Sequence, residues 1–363
     1  MNNQITDIYK KRINKLREII SSKNLEAALI EQRENRFYLS GFSGTSAQLL
    51  ITSNEAILFT DFRYIEQAEK QAPDYELVRL KGRFNVTLSE YLKNMELSKI
   101  GIEGGSTPFD KIVEYRQEND FVEFVSITNE LLSLRIIKDE SEISALTKSI
   151  EIADSAFEHI LTIIKPGVTE MEIAAELEYH MKKNGATGPS FETIVASGDR
   201  AALPHGTASL KRVQLGDVIT MDYGALCNGY CSDITRTVFL GKPDEQLERI
   251  YNIVLSAQLE AEKEAVKGKL GKEIDNVARE VISKAGYGDC FGHGLGHGVG
   301  IEVHEEPRLS TTGLREMDNG MVVTVEPGIY ITGLGGVRIE DIIVINDDNP
   351  LILTKSSKDL IVL

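Results

Sequence analysis

Three of the six histidines in this 363-residue chain lie in one glycine-rich segment. The segment GHGLGHGVGIEVHEEP runs from Gly292 to Pro307 and contains His293, His297 and His304. Imidazole nitrogens bind divalent metals and transfer protons near neutral pH. The alternating glycines argue against a helix here, and they let the backbone bend closely around a ligand. We therefore expect this segment to bring imidazole to a site whose other members lie elsewhere.

Four carboxylates lie in stretches that otherwise have the pattern of β-hairpins. DVITMDYGALCNGYCSDITRTVFL (217–240) carries Asp222 and Asp233, and MVVTVEPGIYITGLGGVRIEDIIVI (321–345) carries Glu326 and Glu340. Because side chains alternate along a strand, the spacing allows Asp222 and Asp233 to lie across from each other. Arg338 is expected to share a face with Glu340, where it can orient that carboxylate and offset its charge.

A lone acid on a strand is usually solvated, so a solvated polar face is the alternative for each of these residues. The apolar runs before Asp222 and Glu326 instead indicate strands covered on both faces. Burying four unpaired carboxylates is costly, whereas carboxylates with imidazole suit Mn, Co, Fe or Zn. Four negative charges balance two divalent cations. The residues therefore predict a two-metal hydrolytic site rather than a structural zinc site.

Composition limits the partners of this chain. Its formal net charge is −16, which argues against nucleic acid and anionic membranes as partners. It contains no run of ~18 apolar residues that would predict a membrane span, and its charged N-terminus does not resemble a signal peptide. Three cysteines indicate thiols in a reducing compartment rather than a disulfide framework. We expect a cytoplasmic protein.

Secondary-structure signals predict two domains, at residues 1–132 and 133–363. The first alternates helix and strand, with a helix over 5–20, strands over 27–30, 48–51 and 55–60, and a helix over 61–71, which is typical of an α/β domain. In the second, Asp139 with Glu142 and Thr169 with Glu172 form capping-box patterns that open two helices. Two more helices are predicted over 244–266 and 272–285. His159 and His180 fall on predicted helices and are expected to be structural.

Taken together, the motifs resemble the pita-bread metallopeptidases, family M24, which comprise Xaa-Pro aminopeptidases, Xaa-Pro dipeptidases (prolidases), methionine aminopeptidases and creatinase. The matching blocks occur in the family's order, and RENRFYLSGFSGTSAQLL (33–50) resembles a creatinase-type N-terminal domain, which indicates the proline-directed branch. The blocks are ASGDRAALPHG (196–206), MDYGALCNGYCSDITRT (221–237), GHGLGHGVGIEVHE (292–305), VEPGIY (325–330) and GGVRIEDIIVI (335–345). The resemblance implies a small α/β domain followed by a catalytic domain with a curved antiparallel sheet flanked by helices.

The resemblance also assigns roles to individual residues. It implies that Asp233 and Glu340 bridge two metal ions, that Asp222 binds one ion and that His297 and Glu326 bind the other. Glu326 is expected to accept the proton of a water shared by the ions and to pass it to the leaving nitrogen. The remaining expected roles are the scissile carbonyl or oxyanion for His304, the substrate pocket for His205 and His293, orientation of Glu340 for Arg338, and substrate contact for Tyr330.

Several alternatives remain open at the level of sequence. We favour an Xaa-Pro aminopeptidase acting through a hydroxide bridging two ions, with an Xaa-Pro dipeptidase as the alternative and a non-catalytic binding module as a weaker one. The complete ligand set argues against creatinase, whose chemistry runs without metal. Mn is the expected ion, with Co, Zn or Fe as alternatives. Proline-containing peptides are the expected substrates, and the relatives imply a homodimer.

Overall fold

The computed structural model describes residues 2–363, with side chains described from residue 7 onward. The chain divides into two compact units, Met1–Arg135 and Ile136–Leu363, whereas the sequence analysis set the boundary after residue 132. Met1, where the predicted first domain begins, lies outside the described residues.

The first unit is built around a six-stranded mixed sheet. Its strand order is β4-β3-β2-β1-β5-β6, with β1 antiparallel to β2 and parallel to β5. The central strand β1 has the sequence AALI and is buried throughout, as expected for a strand covered on both faces. The elements are α1 (Asn2–Ser22), β1 (Ala27–Ile30), α2 (Arg33–Ser40), β2 (Ala47–Thr52), β3 (Ala56–Thr60), α3 (Ile65–Gln71), β4 (Glu76–Arg79), α4 (Phe84–Asn94), β5 (Lys99–Ile102), α5 (Phe109–Glu118), β6 (Glu123–Ser126) and α6 (Thr128–Ile136).

The predicted elements of this unit are present, with one shifted start. The helix predicted over 5–20 lies within α1, although the side chain of Ile5 is outside the described residues. The helix predicted from residue 61 begins only at Ile65. The Asp61 carboxylate accepts a hydrogen bond from the Arg63 backbone N–H at 3.0 Å, and this local turn competes with the helix start.

The second unit opens with two helices whose starts are encoded locally. Asp139 accepts from the Glu142 N–H and Glu142 accepts from the Asp139 N–H, at 3.0 and 3.1 Å, and Thr169 with Glu172 repeats this capping box. The helices are α7 (Glu140–Leu161), α8 (Glu170–Lys183), α9 (Glu245–Glu264) and α10 (Gly271–Lys284). Among residues 2–363, no helix combines the length and hydrophobicity needed to cross a membrane.

The strands of this unit form small antiparallel sheets. Their orders are β11-β10-β7, β12-β9-β8, β14-β13-β15-β18-β19 and β16-β17. The strands are β7 (Gly188–Pro189), β8 (Ile194–Ser197), β9 (Val218–Tyr223), β10 (Ala225–Cys227), β11 (Tyr230–Cys231), β12 (Ile234–Phe239), β13 (Gly296–Gly298), β14 (Glu305–Leu309), β15 (Val322–Val325), β16 (Gly328–Ile331), β17 (Gly335–Arg338), β18 (Asp341–Val344) and β19 (Leu351–Ile352).

The second predicted hairpin is two nested hairpins rather than one. β15 pairs with β18, and β16 pairs with β17 in a separate sheet. The breaks fall at Glu326-Pro327 on one arm and at Ile339-Glu340 on the other. Proline cannot donate to a strand ladder, which accounts for the first break. Both predicted acids of this hairpin therefore lie where the ladder is interrupted.

A buried ion network joins β12, β18 and α9. Arg236 is 1% exposed and donates to Asp341 at 2.6 Å, and Lys358 contacts Asp341 at 2.7 Å and Glu262 at 2.9 Å. Burial, followed by the nearby Asp341 charge, raises the pKa of Glu262 from 4.5 to about 7. The folded chain therefore binds a proton at Glu262 more tightly than the unfolded chain does.

This shift predicts a pH-dependent stability difference. The contribution of Glu262 is fully present below its unfolded pKa near 4.5 and is lost as pH rises through about 7. In urea unfolding at pH 4.5 and pH 8, Glu262→Gln should gain on the order of 3 kcal/mol relative to the parent chain across this interval. The exposed Glu264→Gln on the same helix is the control and should gain nothing. An equal response of both variants would contradict the assignment.

Candidate metal and active site

A cavity of about 500 Å³ in the second unit gathers nine of the ten residues that the sequence analysis selected. Phe191, Ile194 and Val303 provide an apolar part of its wall. Tyr330 is not among the lining residues that the structure describes. The nine are Asp222, Asp233, His297, Glu326 and Glu340, together with His205, His293, His304 and Arg338.

The first hairpin supplies two acids in a register that differs from the expected one. Asp222 on β9 pairs with Thr235 on β12, so the expectation that Asp222 lies across from Asp233 is wrong. Asp233 lies immediately before β12, two residues from Thr235. It still reaches the cavity because residues two apart share a face of a strand.

The nested hairpins supply the other two acids at their breaks. Glu340 is joined to the first hairpin twice: its backbone N–H donates to the Thr235 carbonyl at 3.1 Å, and its carboxylate accepts from the Thr235 hydroxyl at 2.6 Å. Glu326 accepts from the Thr324 hydroxyl at 3.3 Å. A threonine hydroxyl thus holds each of these two carboxylates, Thr235 from the first hairpin and Thr324 from the strand that leads to Glu326.

The glycines around His297 serve close packing rather than flexibility. His297 lies on β13, between β14 and β15. A Cβ on Gly296 would lie 2.0 Å from the Thr324 carbonyl oxygen, and one on Gly298 would lie 2.2 Å from the Glu306 carbonyl oxygen. The glycines were expected to let the backbone bend around a ligand, whereas at this point they let three strands approach one another beside the site.

One cluster in the cavity has the composition of a metal site. Ligand atoms of Asp233, His297 and Glu340 all lie within 4.8 Å of one another, and all three residues are buried. His297 Nε2 lies 3.3 Å from a Glu326 oxygen and 3.6 Å from an Asp233 oxygen. Buried carboxylate and imidazole donors of this kind match divalent transition metals.

The tautomer of His297 follows from its backbone partner. Nδ1 lies 3.0 Å from the Gly298 carbonyl oxygen, which only accepts, so Nδ1 carries a proton. In the neutral ring, Nε2 then presents a lone pair to the carboxylates of Asp233 and Glu326. Because that arrangement is repulsive, a proton or a metal cation must lie between them.

The pKa values of the acids also indicate that the cluster needs a compensating positive charge. Burial, followed by mutual repulsion among the acids, raises the pKa values of Asp233 and Glu340 well above their usual range. Burial also raises the pKa of Asp222. For Glu326, burial raises the pKa, but the contact with His297 and nearby positive charge outweigh it, so its pKa is lowered. Without a compensating cation these carboxylates cannot all ionise together.

Arg338 offsets only part of this charge. Its guanidinium is 4% exposed and donates to Asp222 Oδ2 at 2.6 Å and to the Thr235 hydroxyl at 2.9 Å. The other oxygen, Asp222 Oδ1, is buried and has no hydrogen-bond partner among the described residues. An unsatisfied buried carboxylate oxygen beside three further acids fits a divalent metal ligand.

The other predicted side chains lie around this cluster. His293 Nε2 lies 2.9 Å from the Tyr330 hydroxyl, which accepts from Arg338 at 2.8 Å, so Tyr330 reaches the site through these neighbours. The rings of His304 and His297 have centroids 4.3 Å apart. Desolvation, followed by the charges of His297 and Arg308, lowers the pKa of His304. His205 is exposed at the cavity wall.

His159 and His180 are not among the residues that line this cavity. They lie on α7 and α8 and stack on each other, with ring centroids 4.4 Å apart.

Sequence reasoning missed three contributors. Thr235 and Thr324 hold Glu340 and Glu326. The available signal was that each threonine lies two residues from a predicted acid, Thr235 after Asp233 and Thr324 before Glu326. Arg308 lines the cavity because it is the cross-strand partner of His297. That pairing depends on the register between β13 and β14, which shifts between His297 and Gly298 and left no signal in the sequence.

Comparison with known proteins identifies the family. Residues 12–137 match the creatinase/prolidase N-terminal domain, and residues 144–347, more than half of the chain, match metallopeptidase family M24. The chain belongs to metallopeptidase family M24. It is a metal-dependent peptidase of the proline-directed branch, and the family assignment made from the motifs is confirmed. The predicted architecture, a creatinase-type N-terminal domain followed by a pita-bread catalytic domain, is also confirmed.

Relatives of this M24 peptidase match it along nearly their whole length. The solved Xaa-Pro dipeptidase from Bacillus anthracis is 44% identical with a TM-score of 0.95, and covers 98% of this chain and 100% of its own. The Xaa-Pro dipeptidase of Pyrococcus horikoshii is 42% identical over 98% of this chain and 100% of its own. The solved X-Pro aminopeptidase from Thermotoga maritima is 41% identical with a TM-score of 0.90, over 94% of this chain and 98% of its own.

Repulsion among the buried acids predicts an unusual effect of Glu340→Gln. After chelation with EDTA, this variant of the M24 peptidase should melt at a higher temperature than the parent chain at pH 8, because a neutral glutamine needs neither an uncompensated charge nor the bound proton that the raised pKa of Glu340 demands. Added Mn²⁺ should raise the melting temperature of the parent more than that of the variant. The partly exposed Glu306→Gln is the control and should change neither value. A lower melting temperature for chelated Glu340→Gln would contradict the arrangement.

Proposed function

We propose that this M24 peptidase is an Xaa-Pro dipeptidase that uses two divalent metal ions, with Mn²⁺ as the native ion. The observation that carries the proposal is the buried cluster of Asp233, His297 and Glu340 in a cavity that also holds the cation Arg308. The sequence analysis favoured an aminopeptidase. The dipeptidase alternative has the better support, because the Bacillus anthracis and Pyrococcus horikoshii relatives carry that name.

The donors that would hold the ions are the five residues selected from the motifs: Asp222, Asp233, His297, Glu326 and Glu340. When bound, the ions supply Lewis acidity and neutralise the four carboxylates. The lone pair of His297 Nε2 and the unsatisfied Asp222 Oδ1 are the donor atoms that would gain most from binding.

Side chains of the protein would transfer the proton, bind the oxyanion and orient the metal ligands. Glu326 lines the cavity beside the ligand cluster and would accept a proton from the attacking water and return it to the proline nitrogen, the role that the family resemblance implies for it. His304, kept neutral by its lowered pKa, donates an N–H to the scissile carbonyl oxygen as negative charge develops there. Arg338 orients Asp222 and keeps the Tyr330 hydroxyl directed at His293.

Arg308 provides the physical argument for a dipeptide. A dipeptide differs from a longer substrate by a free carboxylate directly after the proline ring. Of the two arginines that line the cavity, Arg338 is paired with Asp222, whereas the nearest acidic partner of Arg308 is Glu306 at 3.9 Å in an exposed contact. As the cross-strand partner of His297, Arg308 lies on the face of the sheet that carries the metal ligand.

The second candidate is an Xaa-Pro aminopeptidase, which the Thermotoga maritima relative favours by its name. Both candidates cleave the bond before proline, and they differ in tolerance for residues after it. The deciding assay compares Xaa-Pro, Xaa-Pro-Xaa and Xaa-Ala peptides with the Mn²⁺-loaded protein. Cleavage of Xaa-Pro alone supports the dipeptidase, and efficient cleavage of Xaa-Pro-Xaa overturns it.

A homodimer remains part of the proposal, and light scattering of the purified protein tests it.

The role of Arg308 gives a sharper prediction. Arg308→Met should raise the KM for Xaa-Pro by about 10-fold or more, the scale of losing a charge-assisted contact of about 1.5–3 kcal/mol. Hydrolysis of the corresponding Xaa-Pro amide, which has no carboxylate, should change little. The exposed Arg315→Met is the control. Equal losses on the acid and the amide would show that Arg308 does not bind the substrate carboxylate.

A further inference from the structure

Helix α10 carries two ion pairs of the same spacing in different surroundings. Asp275–Arg279 and Glu280–Lys284 are both four residues apart. Glu280 and Lys284 are 54% and 76% exposed, whereas Asp275 is 1% and Arg279 24% exposed. An exposed pair of this kind contributes little. The contacts of Asp275 and Arg279, the less exposed pair, differ from those of the exposed pair.

The Asp275–Arg279 pair holds the backbone that precedes His297. Arg279 donates to the carbonyl oxygens of Phe291 at 3.0 Å and His293 at 2.9 Å, and its guanidinium lies 4.3 Å from the centroid of the Phe291 ring. Asp275 accepts from the Leu295 N–H at 3.0 Å and from Arg279 through both carboxylate oxygens. Three points of segment 291–295 are thus fixed to one helix.

From this backbone the contacts continue to the metal ligands. His293 Nδ1 donates to the Gly294 carbonyl at 2.8 Å, which leaves Nε2 to accept from the Tyr330 hydroxyl. That hydroxyl accepts from Arg338, which donates to Asp222. The Leu295 carbonyl also accepts from the Glu326 N–H at 2.8 Å. The fixed segment therefore contacts the site through the His293 ring and through the backbone of Glu326.

We propose that Asp275 and Arg279 are positioning residues for catalysis: they fix segment 291–295 so that the His293 ring faces the cavity and stays in contact with Tyr330. Neither residue contacts substrate in this proposal. Its catalytic part rests on the proposed peptidase function of the cavity. Its structural part, the ordering of segment 291–295, does not.

The test compares matched substitutions on α10. Arg279→Met keeps a long side chain but loses the hydrogen bonds, and it should lower kcat/KM for Xaa-Pro by about 10-fold, the lower end of the cost of losing an outer partner of a metal site. Bound metal should remain at the parental level. Lys284→Met, which breaks the exposed pair, should leave kcat/KM unchanged, and Arg279→Lys should recover part of the loss.

A double-mutant cycle separates positioning from general destabilisation. If Arg279 acts through His293, Arg279→Met should add little further loss in a His293→Phe background, so the two effects are not additive. If Arg279 only stabilises the fold, the same loss should appear in both backgrounds. Additive effects would overturn the proposal.

Hydrogen–deuterium exchange tests the structural part without any turnover. The peptide covering 291–297 should exchange faster in Arg279→Met than in Lys284→Met, while peptides from α9 remain unchanged. Unchanged exchange in 291–297 would overturn the positioning role even in an active enzyme. If the parent chain does not cleave Xaa-Pro, the proposed function fails, and the exchange result alone decides whether the pair orders this segment.

Discussion

Repulsion among four carboxylates, two of them buried and two largely buried, is the constraint on which the catalytic unit depends. Asp222, Asp233, Glu326 and Glu340 line one cavity with a single paired arginine among them. Burial and mutual repulsion raise the pKa values of three of them, and only Glu326 is held low. Placing these four carboxylates close together is favourable only when a positive charge, such as a metal cation, compensates them. The rest of the unit can be understood as the means of holding them in place.

Two hairpins meet at the base of this site and are joined by side chains of β12. The Thr235 hydroxyl donates to Glu340 on the cavity side. The next residue, Arg236, points the other way and donates to the backbone carbonyl oxygens of Thr235 and Glu340 at 3.0 and 2.6 Å. Its own charge is met by Asp341. Alternation along one strand therefore places a ligand support on one face and a structural anchor on the other.

The sequence predicted local structure best where the signal is local. The capping boxes at Asp139 and Thr169 involve residues three apart, and the helices begin where they indicated. The ladder breaks beside Glu326 and Glu340 depend on pairing between distant segments, so one long hairpin was expected where two are nested. The glycines of the histidine segment were expected to let the backbone bend around a ligand. Their tight contacts with Thr324 and Glu306 could not be predicted, because those residues lie on neighbouring strands.

The residues of the site also divide into those with a local sequence signal and those without one. Its acids and His297 were selected from residue types, apolar surroundings and motif resemblance, and the structure brings them into one cavity. Arg308 and the Asp275–Arg279 pair were not found, because each acts across a register or a helix packing that no short pattern records. The substrate contact expected of Tyr330 stays a prediction, and its hydroxyl is engaged by His293 and Arg338.

The most direct test of this account is the number of divalent ions bound per chain. Chelated protein would be titrated with Mn²⁺ by calorimetry and the retained metal counted by elemental analysis. We expect two ions per chain in the parent protein and a reduced number in Asp233→Asn. Absence of bound metal in the parent, or an unchanged count in that variant, would contradict it.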